Sequence, residues 1–333
     1  MDQKVLFQKG WNIAKFLVAI ILIFFVISKT NIAQIKILKD EIAWGWFSLH
    51  FFSFVLMTLV KAYQYHLLFG SSTKYKNVLR VVIWQNAISN FIASSAGIAS
   101  YMAMLKAEQN VKLTRSGVIF IITKFGDLLA ICLYLGLSAG WVWNQIQLLQ
   151  WLSILLIGGL LLGLAIFLVA VIGRERFVTL VIDALSFLRL DHFHLVSRGI
   201  EGLRSLAMEK KKAVFDLLRT GVLMSLVYMT VTMVSAYTGM RMFNVDPGVW
   251  PVIYVAALMQ LVSFVPIQIL GGLGVTEVTS VYLYSFFGLD QGMMAAVMLG
   301  LRAVFYLMNL FILLYLPMSV FLEKNISRPD NPD

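Results

Sequence analysis

Charged residues are scarce in this sequence, since Asp, Glu, Lys and Arg together occupy 13% of its 333 positions. A soluble protein of this length would carry about 25%. Hydrophobic residues make up 60% instead, and they form blocks that meet or approach the roughly 20 residues needed to cross a bilayer. These blocks are residues 13–27, 42–60, 118–140, 148–172, 214–239 and 293–317.

The blocks predict an all-α, polytopic integral membrane bundle. We expect one transmembrane domain over residues 1–333, with about eight hydrophobic segments once two interrupted ones are included. The first block lacks a small-x-small cleavage site, so it is interpreted as a retained span.

Cysteine is almost absent, and this excludes several kinds of site. Cys132 is the only cysteine, so the sequence has no disulfide framework and no CxxC-type metal site. His192 and His194 are two residues apart, which puts them on different faces of a helix and argues against a metal there. No Walker A, HExxH or GxSxG motif occurs. We therefore expect no enzymatic activity, no cofactor and no metal.

The basic residues indicate an orientation in the membrane. The net charge of +10 suits cytoplasmic loops, which collect Lys and Arg, better than nucleic-acid binding. Residues 61–80 and 105–115 are assigned to the cytoplasm, together with both termini, whereas residues 140–147 carry no charge. Residues 174–213 are predicted to form a cytoplasmic amphipathic connector, which either lies on an anionic leaflet or simply joins two spans.

This orientation predicts a first interrupted segment over residues 78–104. A single crossing would place the basic stretches on either side of it in different compartments, so the segment should enter and return. The expected break lies at residues 93–97, ending with Gly97. Non-helical backbone at such depth is tolerated only where protein buries it or where it lines a wet cavity.

A second interruption is expected within residues 250–288, entering from the outside. Proline removes a backbone donor and glycines loosen the following helix. Two interrupted segments that enter from opposite faces suggest an inverted repeat with a substrate site near the midplane, although small residues also mark plain helix packing. The predicted break residues are Pro266, Gly271, Gly272 and Gly274.

Charged residues within the spans are the candidate binding residues. Lys124 and Asp127 are predicted to lie about 12–17 Å inside their span, and Arg302 about 16 Å inside its own. Charges at that depth mark ion or substrate pathways by default. Lys124 and Asp127 share a helix face and can pair, as a site or as a structural ion pair. Glu277 and Asp127 are the candidate counter-ions of Arg302.

Polar side chains extend these positions into stripes. Asn86, Asn90 and Ser94 are spaced by four residues, and Tyr306 and Asn309 follow Arg302 on one helix face. Either interhelical hydrogen bonding or a polar path for a lipid head group explains them.

The motif around the second break resembles a known family. Pro266-x4-Gly271-Gly272-x-Gly274-x2-Glu277, followed about 25 residues later by Arg302, is similar to the lysylphosphatidylglycerol synthase transmembrane region, or flippase-like family. Lys124-x2-Asp127 resembles a second motif of that family, and the likeness covers about residues 10–320.

The resemblance implies a bacterial inner-membrane protein that moves polar-headed lipids between leaflets. Fused members add a soluble transferase domain that this chain lacks, so lipid modification is not carried over. The first break, over residues 93–101, also lacks the proline and the charged residues that many members have there.

Three functions follow as hypotheses. The first is flipping of a polar-headed, anionic lipid, either a phospholipid or a lipid-linked glycan intermediate. The second is an intramembrane enzyme that uses Asp127 or Glu277 as a base on a lipid-linked substrate. The third is a non-transporting scaffold for envelope biosynthesis enzymes.

Overall fold

The structure, a computed structural model, describes residues 42–70, 73–92, 94–109, 111, 113–143, 150–151, 153–165, 211–263, 272 and 274–319. These residues form helices and contain no β-strand. Four of the helices, α1, α4, α6 and α9, are long and apolar enough to cross a membrane. The prediction of an all-α polytopic membrane bundle is confirmed. The helices are α1 (Trp44–Phe69), α2 (Tyr75–Phe91), α3 (Ser94–Gln109), α4 (Leu113–Val142), α5 (Ser153–Ala165), α6 (Lys211–Met242), α7 (Val249–Ser263), α8 (Val275–Ser285) and α9 (Gln291–Leu313).

Helices α1 and α6 pack along each other in antiparallel directions. The His50 ring contacts the Ser235 carbonyl at 2.9 Å, and the Gln64 amide donates to the Gly221 carbonyl at 3.0 Å. Helix α4 crosses α6 where Gly126 faces Gly221, because a Cβ on Gly126 would lie 2.8 Å from the Gly221 carbonyl oxygen. Such small residues let membrane helices approach closely.

The first interrupted segment consists of α2, which ends at Phe91, and α3, which begins at Ser94. Helices α1 and α4 are antiparallel, since Lys61 meets Asp127 while Leu68 and Val118 share one buried cluster. The end of α1 and the start of α4 therefore lie at the same end of the bundle. The hairpin of α2 and α3 begins and finishes there.

Gly97 does not form the break, contrary to the prediction. It lies inside α3 and is buried against α2. A Cβ at this position would lie 1.8 Å from the Ser89 hydroxyl oxygen and 2.8 Å from the Gln85 carbonyl oxygen. The glycine is therefore required by the close approach of the two arms, whereas the chain turns a few residues earlier.

The basic stretches assigned to cytoplasmic loops are mostly helical, so those loop boundaries were wrong. Helix α1 continues to Phe69 and α2 begins at Tyr75, which places Lys61 well inside α1. Helix α3 ends at Gln109 and α4 begins at Leu113. The apolar block before Lys61 predicts a helix that ends there, but the aromatic and aliphatic residues beyond Lys61 continue the helix.

The second interrupted segment contains α7 and α8. Gly272 and Gly274, just before α8, have φ angles of 80° and 84°, a region that favours glycine. Phe243, which follows α6, packs against Gly300 of α9 and shares a cluster with Met294. Because α6 finishes and α9 starts at the same end of the bundle, this segment also begins and finishes at one end, opposite to the first. Re-entry into a bilayer and the inverted repeat stay predictions.

The two ends of the bundle differ in composition. The tryptophan end holds Trp44 and Trp46 at the start of α1, and Trp141 of α4 stacks on Trp250 of α7 at 5.2 Å. The basic end holds Lys74, which precedes α2, and the termini of helices that carry Lys106, Arg115 and Arg219. Tryptophan is enriched at membrane interfaces and Lys and Arg on the cytoplasmic side.

Several predicted features lie outside the described residues. These are the first hydrophobic block, the histidine pair, the connector at 174–213 except its last three residues, and the break residues Pro266 and Gly271.

Candidate functional site

Asp127 is the centre of a buried ion cluster between α1, α4 and α6. The Lys61 ammonium donates to both carboxylate oxygens of Asp127 at 2.9 Å. Lys124, which was predicted to pair with Asp127, lies farther away at 3.9 Å. The Lys61 and Asp127 side chains are 14% and 6% exposed, and the Lys61 ammonium also lies 4.5 Å from the Tyr228 ring centroid. Both predicted residues belong to the cluster, but Lys61 is the main cationic partner.

Neutral side chains complete the coordination of the Asp127 carboxylate. The Ser225 hydroxyl donates to Asp127 at 2.8 Å, and the fully buried Gln64 amide donates to the Ser225 oxygen at 2.8 Å. Ser225 reaches the carboxylate because the glycine crossing of α4 and α6 brings the two backbones together. Buried carboxylates persist in membranes only where such partners offset the loss of hydration.

A second buried ion pair lies between α8 and α9. The Arg302 Nε lies 3.4 Å from the Glu277 carboxylate, and their side chains are 12% and 6% exposed. The second Glu277 oxygen accepts the backbone N–H of Gly274 at 2.6 Å, in the first turn of α8. A carboxylate at a helix N-terminus is stabilised by the helix dipole. Glu277 and Asp127 were the two expected counter-ions of Arg302, and Glu277 is the one that lies beside it in the structure.

The Lys61–Asp127 pair and Arg302 of the second pair face a common polar cavity of about 400 Å³. Both interrupted segments contribute to its wall, together with α1, α4, α6 and α9. Polar and apolar atoms share the wall equally. The polar residues among those that line it are Thr58, Lys61, Tyr65, Gln85, Asn86, Ser89, Asn90, Lys124, Asp127, Tyr228, Gln260, Ser263, Thr276, Arg302 and Asn309.

The predicted polar stripes meet at this cavity. The Asn90 amide of α2 donates to the Asn309 amide oxygen of α9 at 2.8 Å, which joins the first interrupted segment to the last helix. Asn86 lies on the wall. Tyr306 stacks on Phe91 at 5.6 Å instead, and the Arg302 guanidinium lies 5.0 Å from its ring centroid. Ser94 begins α3, but its side chain lies outside the described part of the structure.

A second cavity, of about 300 Å³, adjoins the polar one and is named here the apolar cavity. Most of the wall of this cavity is formed by apolar atoms. Glu277 and His50 line it, and Arg302 lines both cavities. Volumes of about 300–1,000 Å³ are typical of ligand pockets.

The described residues offer no group of three His, Cys, Asp or Glu side chains that could hold a metal. The cavities present ammonium, guanidinium, carboxylate, amide and hydroxyl groups, which bind polar ligands by hydrogen bonds and charge.

Residues 12–312 match a protein family described as the lysylphosphatidylglycerol synthase TM region. This match covers most of the chain and includes both ion pairs. The chain belongs to the lysylphosphatidylglycerol synthase TM region family. The resemblance inferred from the break motif is confirmed, and membership indicates a function related to membrane lipids. Comparison with curated proteins and with solved structures gave no match.

In this member of the lysylphosphatidylglycerol synthase TM region family, three residues of the site were not predicted from the sequence. These are Lys61, Gln64 and Ser225, which surround Asp127. One signal was available: Lys61 and Gln64 lie three residues apart in a continuing apolar helix, on one face. Their partner was not predictable, because Lys61 and Asp127 are separated by 66 positions in the chain.

Proposed function

We propose that this protein translocates a lipid with an anionic, polar head group between the leaflets of the membrane. The observation that carries the proposal is the polar cavity, whose wall includes residues of both interrupted segments, the buried Lys61–Asp127 pair and Arg302 of the second buried pair. Discontinuous helices commonly frame substrate sites near the midplane of transporters. A head group would enter this cavity while its hydrocarbon chains stay in an apolar environment.

The charges on the wall favour an anionic head group. Among the described residues, three basic side chains (Lys61, Lys124 and Arg302) face two acidic ones (Asp127 and Glu277) on the two cavities. Ammonium and guanidinium groups are the usual ligands of phosphate. The Lys124 side chain is 39% exposed, so its ammonium is accessible to such a ligand.

The carboxylates have a supporting role in this proposal. Asp127 holds Lys61 and Glu277 holds Arg302, so that the cations are fixed in place without a bound lipid. A phosphate would then compete with each carboxylate for its cation, which keeps binding weak enough for release. Because the sequence has no Walker A motif, movement is proposed to be passive or coupled to an ion gradient.

A leaflet-resolved assay in liposomes tests the proposal. Phosphatidylglycerol with a fluorophore on one chain is added, and a membrane-impermeant reductant quenches only the outer leaflet. We expect faster translocation with the wild-type protein than in protein-free vesicles. Loss of a charge-assisted contact costs about 1.5–3 kcal/mol, so Arg302→Gln should slow translocation roughly ten- to a hundredfold.

Lys106→Gln is the matched control, because it also removes one positive charge but from an exposed position in the last turn of α3. It should translocate at the wild-type rate. Equal rates for wild-type and protein-free vesicles across phospholipids and lipid-linked glycans would overturn the proposal.

Two alternatives make different predictions. An intramembrane enzyme using Asp127 or Glu277 would change the mass of the lipid, so mass spectrometry of the recovered lipids separates it from transport. A scaffold for envelope biosynthesis enzymes would keep its function after Arg302→Gln. We also propose the bacterial inner membrane as the location, with both termini and the basic end on the cytoplasmic side.

A further inference from the structure

The apolar cavity shares Arg302 and holds its partner Glu277, but the rest of its wall has no role in head-group binding as described above. It shares seven wall residues with the polar cavity, so the two are neighbouring chambers. We propose that the apolar cavity binds a hydrocarbon chain of the same lipid whose phosphate lies in the polar cavity. This inference rests on the proposed function and identifies the part of the substrate that the second chamber would recognise.

The wall chemistry fits a flexible hydrocarbon chain. Five methionines line the cavity, together with two phenylalanines and small aliphatic residues. Methionine is unbranched and polarizable, and it adapts to apolar ligands of irregular shape. The methionines are Met57, Met240, Met259, Met298 and Met308.

Three of the five hydroxyl groups of this wall have partners within the protein. Thr232 donates to the Tyr228 carbonyl at 2.9 Å, and Thr276 donates to the Gly272 carbonyl at 3.1 Å. The Ser235 oxygen lies 3.2 Å from the His50 ring nitrogen. Because these polar groups bond within the protein, the surface left to a ligand is mainly apolar, and apolar cavities bind apolar ligands.

The arrangement of the chambers matches the shape of a lipid. Arg302 belongs to both walls, as do Phe54 and Phe305. A phosphate at Arg302 would therefore lie at the boundary between the polar and the apolar chamber. The apolar cavity extends from there towards the tryptophan end, since its wall includes His50, six residues from the start of α1, and Met240 near the end of α6.

Photocrosslinking with the full-length protein in liposomes tests this inference. Two probes are used, phosphatidylglycerol with a diazirine within one acyl chain and a polyprenyl phosphate with a diazirine in its chain. After illumination, peptide mass spectrometry locates the labelled residues. We expect labels on Met240, Ala256 or Met298, which line only the apolar cavity. The probe that labels them identifies the chain as acyl or prenyl.

Filling the chamber should remove these labels. Ala256→Phe of α7 is expected to lower the yield on the other cavity residues about tenfold. Ala236→Phe of α6 fills the same cavity from another helix. Size-exclusion chromatography checks that each variant folds, and the labelling test needs only one of the two to be folded. Ala303→Phe is the matched control, because Ala303 is exposed on α9 and lines neither cavity.

The outcomes separate this inference from the proposed function. Labels confined to exposed residues such as Leu307, or labels on the cavity that both filling variants leave unchanged, would overturn the chain-binding inference even if translocation occurs. Absent translocation by the wild-type protein would overturn the proposed function, and the labelling pattern would still decide whether the chamber holds a chain.

Discussion

Replacing Lys61 with Met tests the central ion cluster most sharply. The substitution keeps an unbranched, apolar side chain and removes the cation that contacts both Asp127 oxygens at 2.9 Å. The Asp127 side chain, 6% exposed, would keep the Ser225 hydrogen bond and the Lys124 ammonium at 3.9 Å. The variant therefore leaves a buried carboxylate with its strongest partner missing.

The expected loss of stability follows from these contacts. Removing one partner of a buried ion pair costs about 3–5 kcal/mol, because the other charge stays buried. The remaining Ser225 and Lys124 contacts offset part of this, so we expect a loss of about 2–3 kcal/mol in the free energy of unfolding. Replacing both partners, in Lys61→Met with Asp127→Leu, should cost under about 1 kcal/mol, since both buried charges are removed and the remaining Lys124 side chain is 39% exposed.

The assay is SDS titration of the purified protein in mixed micelles, followed by tryptophan fluorescence. Lys106→Met is the control, because it makes the same chemical change at an exposed site. A loss below about 0.5 kcal/mol for the single Lys61 variant would refute the reasoning, because that is the range of an exposed ion pair. A double variant less stable than the single one would refute it as well.

Three further predictions concern other parts of the site. Gly97→Leu should lower the free energy of unfolding by about 2 kcal/mol or more, because the new side chain overlaps α2. Glu277→Gln should cost about 2 kcal/mol, because it removes the carboxylate that faces Arg302 inside the bundle. Asn90→Leu should cost only about 0.6 kcal/mol, the usual worth of one interhelical hydrogen bond in a membrane, yet it should slow translocation of phosphatidylglycerol.

SDS titration also measures the stabilities of these three variants, and the Gly97 and Glu277 variants each have a control. Gly136→Leu, at an exposed glycine with open space around it, should leave stability unchanged, and a similar loss at both glycines would contradict the packing account. Asp246→Asn breaks an exposed ion pair with Arg241 and should cost under about 1 kcal/mol. Equal losses for Asp246→Asn and Glu277→Gln would argue against a buried pair. If Asn90→Leu translocates phosphatidylglycerol at the wild-type rate, Asn90 has no part in the proposed pathway.

The local part of the site could be predicted from the sequence. Lys124 and Asp127 lie three residues apart, so helical geometry alone put them on one face. A buried arginine needs a counter-charge, so Glu277 and Asp127 were both predicted as candidate partners of Arg302, and the structure places Glu277 beside it. Asn86 and Asn90 were found by their spacing of four.

The rest could not be predicted, because it depends on contacts between distant parts of the chain. Lys61 follows an apolar block, and a count of basic residues treats such a lysine as a loop residue. Its burial depends on Asp127 of α4, which lies 66 positions away in the chain. Gly97 was interpreted as a helix breaker, since a sequence does not distinguish a glycine that turns the chain from one that admits a neighbouring helix.

The most direct test of the proposed pathway is the translocation rate of the Lys61→Met, Asp127→Leu double variant in liposomes. Because this variant should fold, a change in rate reports on the chemistry of the polar cavity and not on stability. We predict that phosphatidylglycerol crosses at the rate of protein-free vesicles while the wild-type protein accelerates it. Translocation by the double variant at the wild-type rate would contradict the claim that the buried charges of this cavity receive the lipid head group.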